Sequence, residues 1–369
     1  MINPSVTSRR QLFQSLGAAA LAVPALASRS KAPVPAEPAR LDSNESAYGP
    51  FPSAIRAMAK AVERGNYYVG PELIPVQQKL AALHGVAVEN LMFGAGSTEP
   101  LRGVTQTLCS ADHPVIVGEP TFEDVAETAE ANHARVIKIP VTRDGLLDVE
   151  RMLAAAREHN AGLLYLCNPN NPTSTITGKD KLARLVDNLP ANTILLADEA
   201  YSDLVDAAAY QSAAPYVKQD RNVIVLRTFS KLYGLAGMRL GYAIAPKRLL
   251  DKIRPAVMDG SINQAAVAAA RASLDDRATY DQIKTENARV RRYTMDSMRQ
   301  MGLQCFDSQT NFVMVDLKRP IQPVKEKLAQ RGFLVARLFP ALPSHQRITL
   351  GTMTEMQRFM PAFKDAMQG

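Results

Sequence analysis

The chain has 369 residues, 46% hydrophobic and 21% charged, which is enough for a large core and a smaller second domain. The formal net charge is +7, but the lysines and arginines are scattered without interleaved aromatic residues, which argues against nucleic-acid binding. The three cysteines have no motif spacing, which argues against a disulfide framework or a metal site.

Residues 1–27 are predicted to be a signal peptide of the twin-arginine type. Arg9 and Arg10 precede an Ala-rich apolar run from Leu16 to Leu26, and Ala25-Leu26-Ala27 offers small residues to a signal peptidase. The run is too short to span a membrane, so we expect no stable membrane insertion. We therefore expect export by the twin-arginine machinery, after folding, to the periplasm. An uncleaved N-terminal helix is the alternative interpretation.

The chain from residue 28 onward is predicted to contain three parts. Residues 28–63 form a segment that packs on the smaller domain, with a helix from about Pro52 to Glu63. From residue 64 to 246, apolar runs alternate with helical patterns, which predicts an α/β domain with a largely parallel sheet covered on both faces. Residues 247–369 are mainly helical, with short strands near residues 311, 333 and 347, and form a small α+β domain. The predicted strands of the large domain are Asn90–Phe93, Pro114–Val117, Ala161–Cys167, Thr193–Ala197, Val223–Leu226 and Arg239–Ala245.

Polar or aromatic side chains follow most of these strands where the strands end. Ligands of open parallel sheets bind beyond the carboxyl ends of the strands, so one site could collect all of these residues. They are a hydroxyl-rich helix entry, an aromatic ring, an amide, a carboxylate, a phenol and a lysine: Ser97, Thr98, Phe122, Asn171, Asp198, Tyr201 and Lys231.

This set of residues matches the needs of pyridoxal 5'-phosphate (PLP). A Schiff-base lysine needs an unprotonated amine, which burial and nearby cations favour, and Lys231 stands at the end of a buried strand. Asp198 can face the pyridine nitrogen, Asn171 and Tyr201 can donate to the ring oxygen, and Phe122 can stack on the ring. The phosphate needs backbone N–H groups, hydroxyls and an arginine, which are supplied by Gly96, Ser97, Thr98, Thr228, Ser230 and Arg239.

The sequence resembles the fold-type-I aminotransferases, most closely the branch similar to histidinol-phosphate aminotransferases. The resemblance covers nearly the whole chain from Leu41 and implies a mostly parallel seven-stranded sheet in the large domain. Its motifs are Asn44-Glu45 with Tyr48-Gly49-Pro50, Gly94 to Glu99, Pro120-Thr121-Phe122, Asn168 to Thr173, Asp198 to Tyr201, Ser230-Lys231 with Arg239, and Arg347 to Thr352.

The resemblance also implies roles. Lys231 is the internal-aldimine lysine and moves the proton, with Asp198 and Tyr201 as the other catalytic residues. Tyr67 matches a tyrosine that reaches the partner subunit's phosphate, which implies a homodimer with shared active sites. Arg347 matches the arginine that grips the substrate α-carboxylate. Three further residues are expected to bind substrate: Asn44, Tyr48 and Arg337.

The predicted function is PLP-dependent transamination between an L-amino acid and a 2-oxo acid, by a ping-pong mechanism through Lys231. A PLP-dependent lyase, decarboxylase or cyclase of the same fold is the alternative enzyme class, and a PLP-binding regulatory module is a third interpretation. The chain also departs from the family pattern. Where the family often has an arginine directly after Val335, Ala336 stands here and Arg337 follows. The identity of the substrate therefore stays open.

Overall fold

The computed structural model describes residues 37–258 and 260–368. The predicted signal peptide, residues 1–27, lies outside these residues. Within them, none of the helices combines the length and the apolar character that a membrane span needs.

Twelve strands are present in the described residues. They are β1 Ala39–Leu41, β2 Leu91–Ala95, β3 Val115–Glu119, β4 Val136–Pro140, β5 Leu163–Cys167, β6 Ile194–Asp198, β7 Val223–Thr228, β8 Leu240–Ile244, β9 Gln304–Cys305, β10 Phe312–Asp316, β11 Phe333–Val335 and β12 His345–Thr349.

Seven of these strands form the central sheet, in the order β2-β8-β7-β6-β5-β3-β4. Only β8 runs against the others, since it pairs antiparallel with both β2 and β7. The predicted α/β fold with a mostly parallel seven-stranded sheet is confirmed. Strands β5 and β6 are buried throughout, as expected for apolar runs that are covered on both faces.

Eleven α-helices are present in the described residues. They are α1 Pro52–Ala61, α2 Ile74–His84, α3 Thr98–Leu108, α4 Asp124–Ala131, α5 Val149–Glu158, α6 Lys179–Asp187, α7 Lys247–Ile253, α8 Gln264–Asp275, α9 Arg277–Gln300, α10 Ile321–Gln330 and α11 Met353–Gln368.

The sheet has one buried cluster of apolar side chains on each face. In β5, Leu164 and Leu166 belong to one cluster, whereas Leu163 and Tyr165 belong to the other, as the two-residue period of a strand requires. A third cluster joins β1, β10, β11 and β12 to helices α9, α10 and α11. Strand β1 pairs in parallel with β11, so the segment before α1 packs with the C-terminal elements. The predicted domain boundaries at residues 63 and 246 stay a prediction.

The helical stretch that the sequence predicts from Asn263 to Met301 is two helices in the structure. Helix α8 ends at Asp275, and the Asp276 side chain accepts a hydrogen bond from the Thr279 N–H at 3.1 Å, which starts α9. This is an N-cap, and aspartate is favoured there because it satisfies an otherwise unpaired N–H. The predicted helical stretch is therefore present, and it is divided at this one position.

Candidate active site

The carboxyl ends of the parallel strands surround a cavity of about 350 Å³. The residues predicted to bind the cofactor line it almost without exception, although they come from five separate strand ends. Those that line the cavity are Ser97, Thr98, Phe122, Asn171, Asp198, Tyr201, Thr228, Ser230, Lys231 and Arg239. A larger cavity of about 890 Å³, between Asp144 and Phe306, contains none of the predicted site residues.

Asp198 is a buried carboxylate at the end of β6. Its Oδ2 accepts a hydrogen bond from the Tyr165 hydroxyl at 2.9 Å, and its Oδ1 accepts one from the Ala200 N–H at 3.1 Å. Burial raises the pKa of Asp198 to about 6, although these two hydrogen bonds and Lys231 oppose the shift. A buried carboxylate of this kind stabilises a cationic ring nitrogen placed beside it.

Lys231 lines the cavity three residues after the end of β7, in contact with the N-terminal segment. Its Nζ donates to the Asn44 carbonyl oxygen at 3.2 Å and lies 5.2 Å from the centre of the Tyr201 ring. The Tyr201 hydroxyl in turn accepts a hydrogen bond from Asn44 Nδ2 at 3.0 Å. Asn44 thus contacts two of the three predicted catalytic side chains, Lys231 and Tyr201.

The loop between β2 and α3 forms the end of the cavity that suits an anion. Ser97 and Thr98 stand at the start of α3, where backbone N–H groups are free of intrahelical partners. Gly96 has φ +76°, and a Cβ there would meet the Arg239 guanidinium, 2.9 Å from its Cζ. A side chain at this position would therefore fill the space between the loop and Arg239.

Glu99 holds this loop in place. Its carboxylate accepts hydrogen bonds from Ala95 N–H at 2.6 Å, Met258 N–H at 2.9 Å and Ser261 Oγ at 2.6 Å. The carboxylate therefore connects the β2–α3 loop to the segment before α8. No role for Glu99 is predicted from the sequence, because the three groups that donate to its carboxylate come together only in the folded chain.

Arg347 projects from β12 toward the same region. Its Nη1 donates to Asn171 Oδ1 at 2.7 Å and its Nη2 to the Asp42 carbonyl oxygen at 2.7 Å, while its buried Nε has no partner. Burial lowers the pKa of Arg347. The side chain makes no ion pair with a carboxylate of the described residues, so it is a half-buried cation available to an anionic ligand.

Tyr67 and Tyr48 are predicted site residues that line neither this cavity nor the neighbouring one. Tyr67 is 60% exposed, with the Arg64 guanidinium 5.8 Å from its ring centre. Tyr48 lines neither this cavity nor the neighbouring one that contains Arg337, and its hydroxyl is buried without a hydrogen-bond partner. Burial raises the pKa of the Tyr48 hydroxyl to about 12.

Tyr165 is a site residue that the sequence analysis missed. It lies in the middle of the apolar strand β5, next to Leu196 of β6, and its side chain is fully buried. The available signal was a phenol inside a wholly buried strand, because such a hydroxyl needs an acceptor. The neighbouring strand ends in Asp198, which supplies that acceptor.

These residues fit PLP. A carboxylate and a lysine amine line the cavity, with hydroxyls, a helix N-terminus and a guanidinium at the end that suits a phosphate. Together with the mostly parallel sheet, this donor set defines a PLP-dependent enzyme of fold type I.

Comparison with known proteins gives the family. The sequence profile of the family described as aminotransferase class I and II matches residues 37–363, and the chain belongs to this family. It is 34% identical to a histidinol-phosphate aminotransferase of Moorella thermoacetica over 331 residues, which cover 89% of this chain and 85% of the relative. It is 33% identical to the corresponding enzyme of Bacillus velezensis, over 87% of this chain and 89% of the relative.

A solved structure supports the same assignment. The histidinol-phosphate aminotransferase of Sinorhizobium meliloti, in complex with pyridoxal-5'-phosphate, superposes with a TM-score of 0.84 and 28% identity. The match covers 90% of this chain and 91% of that chain. The protein is a PLP-dependent aminotransferase that acts on small amino and oxo acids.

Replacing Asp198 should change the pH dependence of stability. The pKa of Asp198 is about 6 in the folded state and 3.8 ordinarily. The contribution of Asp198 to the free energy of unfolding is therefore fully present below pH 3.8 and is lost as the pH rises through 6. At about pH 8 the apoprotein with Asp198→Asn should therefore be the more stable, by up to about 3 kcal/mol, and the difference should vanish near pH 4. Urea unfolding of the two apoproteins measures it.

The exposed Asp187 provides the matched control, since Asp187→Asn should shift stability little at any pH. A difference between the Asp198→Asn and unsubstituted apoproteins that stays constant from pH 4 to pH 8 would contradict the assignment of Asp198 as a desolvated carboxylate.

Proposed function

We propose that this aminotransferase transfers the amino group of an L-amino acid to a 2-oxo acid, with Lys231 as the residue that moves the proton. The observation that carries the proposal is the arrangement of three buried or half-buried groups around connected cavities. Lys231 and Asp198 line the cofactor cavity, and Lys231 and Arg347 line the cavity next to it. An amino acid held at its carboxylate by Arg347 would present its Cα to the Lys231 amine.

When bound, PLP supplies an electron sink and a carbonyl that carries the amino group between the two half-reactions. Asp198 would keep the pyridine nitrogen protonated, since its buried charge needs a cationic partner. Phe122 would cover one face of the ring. The phosphate would be held by the α3 N-terminus and by side chains that already face the cavity: Ser97, Thr98, Thr228, Ser230 and Arg239.

Asn171 connects the cofactor end to the substrate end. Its Oδ1 accepts the 2.7 Å hydrogen bond from Arg347, which leaves its Nδ2 as the atom able to donate to the ring oxygen. The same contact fixes the plane of the guanidinium. Arg347 can then bind a planar carboxylate through its two terminal nitrogens, since each of them has a second N–H to donate.

Lys231→Ala tests the function directly. The variant should lose the visible absorbance of lysine-bound cofactor and reduce turnover by about 10³-fold or more, because no other group is placed to move the proton. Cofactor spectra and single-turnover kinetics with an amino donor measure both effects. Lys181→Ala, which removes an exposed lysine on α6, is the matched control. Full activity in Lys231→Ala would refute the assignment.

The active sites are shared in a homodimer, and Tyr67 completes the phosphate site of the partner subunit. Support comes from the surface of the chain. Of nine large apolar side chains that stand exposed in the described residues, those between residues 55 and 88 are Ile55, Val62, Tyr67, Tyr68, Ile74, Leu83 and Val88. Such a concentration of exposed apolar side chains marks a protein interface. Tyr67 stands in it and outside its own subunit's cavity.

Mixed dimers test whether Tyr67 acts across the interface. In homodimers, Tyr67→Phe should weaken cofactor binding about tenfold by removing one hydrogen bond to a charged group. In a dimer of one Tyr67→Phe chain and one Lys231→Ala chain, the site that retains Lys231 receives an intact Tyr67 from the other chain. When this mixed dimer is titrated with PLP and the absorbance of lysine-bound cofactor is followed, the affinity for PLP should equal that of the unsubstituted enzyme. An affinity that stays weakened would place Tyr67 in its own subunit's site.

The protein is exported to the periplasm after folding, by the twin-arginine route. Support comes from Arg9-Arg10, the apolar run from Leu16 to Leu26 and the small residues Ala25 and Ala27. The family profile begins at residue 37, so these residues precede the part of the chain that matches the enzyme family.

Replacing both Arg9 and Arg10 by lysine should abolish export. The full chain should be expressed in a bacterium with a twin-arginine translocase, and its periplasmic and cytoplasmic fractions compared by immunoblot and mass. The unsubstituted chain should appear in the periplasm without residues 1–27, and the double variant should remain in the cytoplasm at full length. An unsubstituted chain found only in the cytoplasm would refute the proposal.

A further inference from the structure

A second cavity, of about 520 Å³, adjoins the cofactor cavity on the substrate side, and we call it the outer cavity. The two cavities share Ser43, Phe122, Asn171, Tyr201 and Lys231. Arg347 lines the inner part of the outer cavity. Its outer end is built by the first turn of α4, by α10 and by the segment after β11, so it is where the side chain of a bound amino acid would extend.

Arg337 is the arginine of this outer end, and it is already paired. Its Nη2 contacts Glu123 Oε2, its Nη1 donates to the Leu338 carbonyl oxygen at 3.0 Å, and its guanidinium lies 4.7 Å from the centre of the Phe339 ring. The pair is half-exposed, with side-chain exposures of 53% for Arg337 and 46% for Glu123. Its charge is therefore largely neutralised, although the pair itself is not costly to open.

Arg337 and Arg347 both lie beside the Phe339 ring. Phe339 is only 4% exposed, and the Arg347 guanidinium lies 5.2 Å from the centre of the same ring. Arg337 is paired with the Glu123 carboxylate, whereas Arg347 has no carboxylate partner among the described residues, so the two cations are not equally available to an anion. Arg347 is left to bind the α-carboxylate alone, while Arg337 belongs to the outer end with Glu123.

The remaining charges of the outer end do not favour a dianion. Glu123, Asp124 and Glu127 line it, against Lys325 and Arg337. Asp124 Oδ2 lies 3.6 Å from Arg102 Nη2 and so forms an ion pair, whereas Glu127 has no ion-pair partner among the described residues. A phosphate entering this end would therefore face carboxylates at the positions where a phosphate site needs donors.

We propose that Glu123 is a specificity-determining residue: by holding Arg337, it sets the outer cavity to take amino acids with an uncharged or cationic side chain and to reject those with a phosphate-like group. The inference rests on the proposed function, because it uses Arg347 as the carboxylate anchor. It concerns the group at the outer end of the cavity only. Opening the Glu123–Arg337 pair would leave Glu123 free to accept a hydrogen bond from a cationic side chain.

The test uses three donors that keep the α-carboxylate and differ at the far end: L-glutamine, L-ornithine and L-2-amino-4-phosphonobutyrate. The phosphonate cannot leave as phosphate can, so all three report the same half-reaction. Its rate and half-saturation are read from conversion of the holoenzyme spectrum to the pyridoxamine form. The unsubstituted enzyme should favour L-glutamine and L-ornithine over the phosphonate by about 100-fold, because carboxylates outnumber cations at the outer end of the cavity.

Glu123→Gln should raise kcat/KM for the phosphonate relative to L-glutamine about tenfold or more, mainly by lowering KM. It should also lower kcat/KM for L-ornithine. The gain should disappear in the double variant Glu123→Gln with Arg337→Gln, since the freed guanidinium supplies it. Glu130→Gln, an exposed carboxylate on the same helix α4 that does not line the cavity, is the matched control. Thermal unfolding verifies that each variant is folded.

The outcomes separate the two levels of inference. If none of a full set of amino donors converts the cofactor, the proposed function fails. If L-glutamine or L-ornithine converts it but Glu123→Gln leaves the donor preference unchanged, the function stands and the role of Glu123 is refuted. A phosphonate that the unsubstituted enzyme uses as well as L-glutamine would also refute it.

Discussion

The burial of the Asp198 carboxylate is the constraint on which the site depends. It stands at the end of a strand that is buried on both faces, and burial raises its pKa to about 6. Within the described residues it meets a phenol and a backbone N–H but no ion-pair partner. The sheet therefore maintains a negative charge that is incompletely compensated until a cationic ring occupies the cavity. The Tyr165 hydroxyl donates a hydrogen bond to this carboxylate, and the positive charge of Lys231 partly offsets its negative charge.

Asn44 connects Lys231 to the C-terminal part of the fold. Its backbone is left-handed, with φ 54°, a conformation that asparagine adopts more readily than most residues. Its carbonyl oxygen accepts hydrogen bonds from Lys231 Nζ at 3.2 Å and from Asn311 Nδ2 at 3.1 Å, and its N–H donates to Thr349 Oγ1 at 2.9 Å. The N-terminal segment is thus fixed by side chains of both the central sheet region and strand β12. A shift of this segment would move the hydrogen-bond acceptor of the catalytic lysine.

The strand ends were predictable because each is a local signal: a buried apolar run that stops at a polar or aromatic residue. What local signals do not carry is which polar groups meet. Tyr165 looked like one more apolar position of β5, and Glu99 like one acid in a helix entry, until the fold placed their partners beside them. Strand β4 was missed for a related reason. Four of its five residues are half-exposed or exposed at the edge of the sheet, so Val136–Pro140 lacks the continuous apolar pattern of the central strands.

Residues that carry the reaction can be read from local sequence signals, whereas those that set specificity meet only in the folded chain. The residues that carry the chemistry lie on rigid strand ends, where the alignment of a parallel sheet dictates their meeting. The outer cavity is instead assembled from α4, α10 and the segment after β11, elements far apart in the sequence. The position of Arg337 one residue beyond the usual arginine reveals a change, but not its consequence. The consequence comes from Glu123, more than two hundred residues away in the sequence, which takes up the guanidinium and leaves Arg347 as the anion-binding group nearest the reacting atoms.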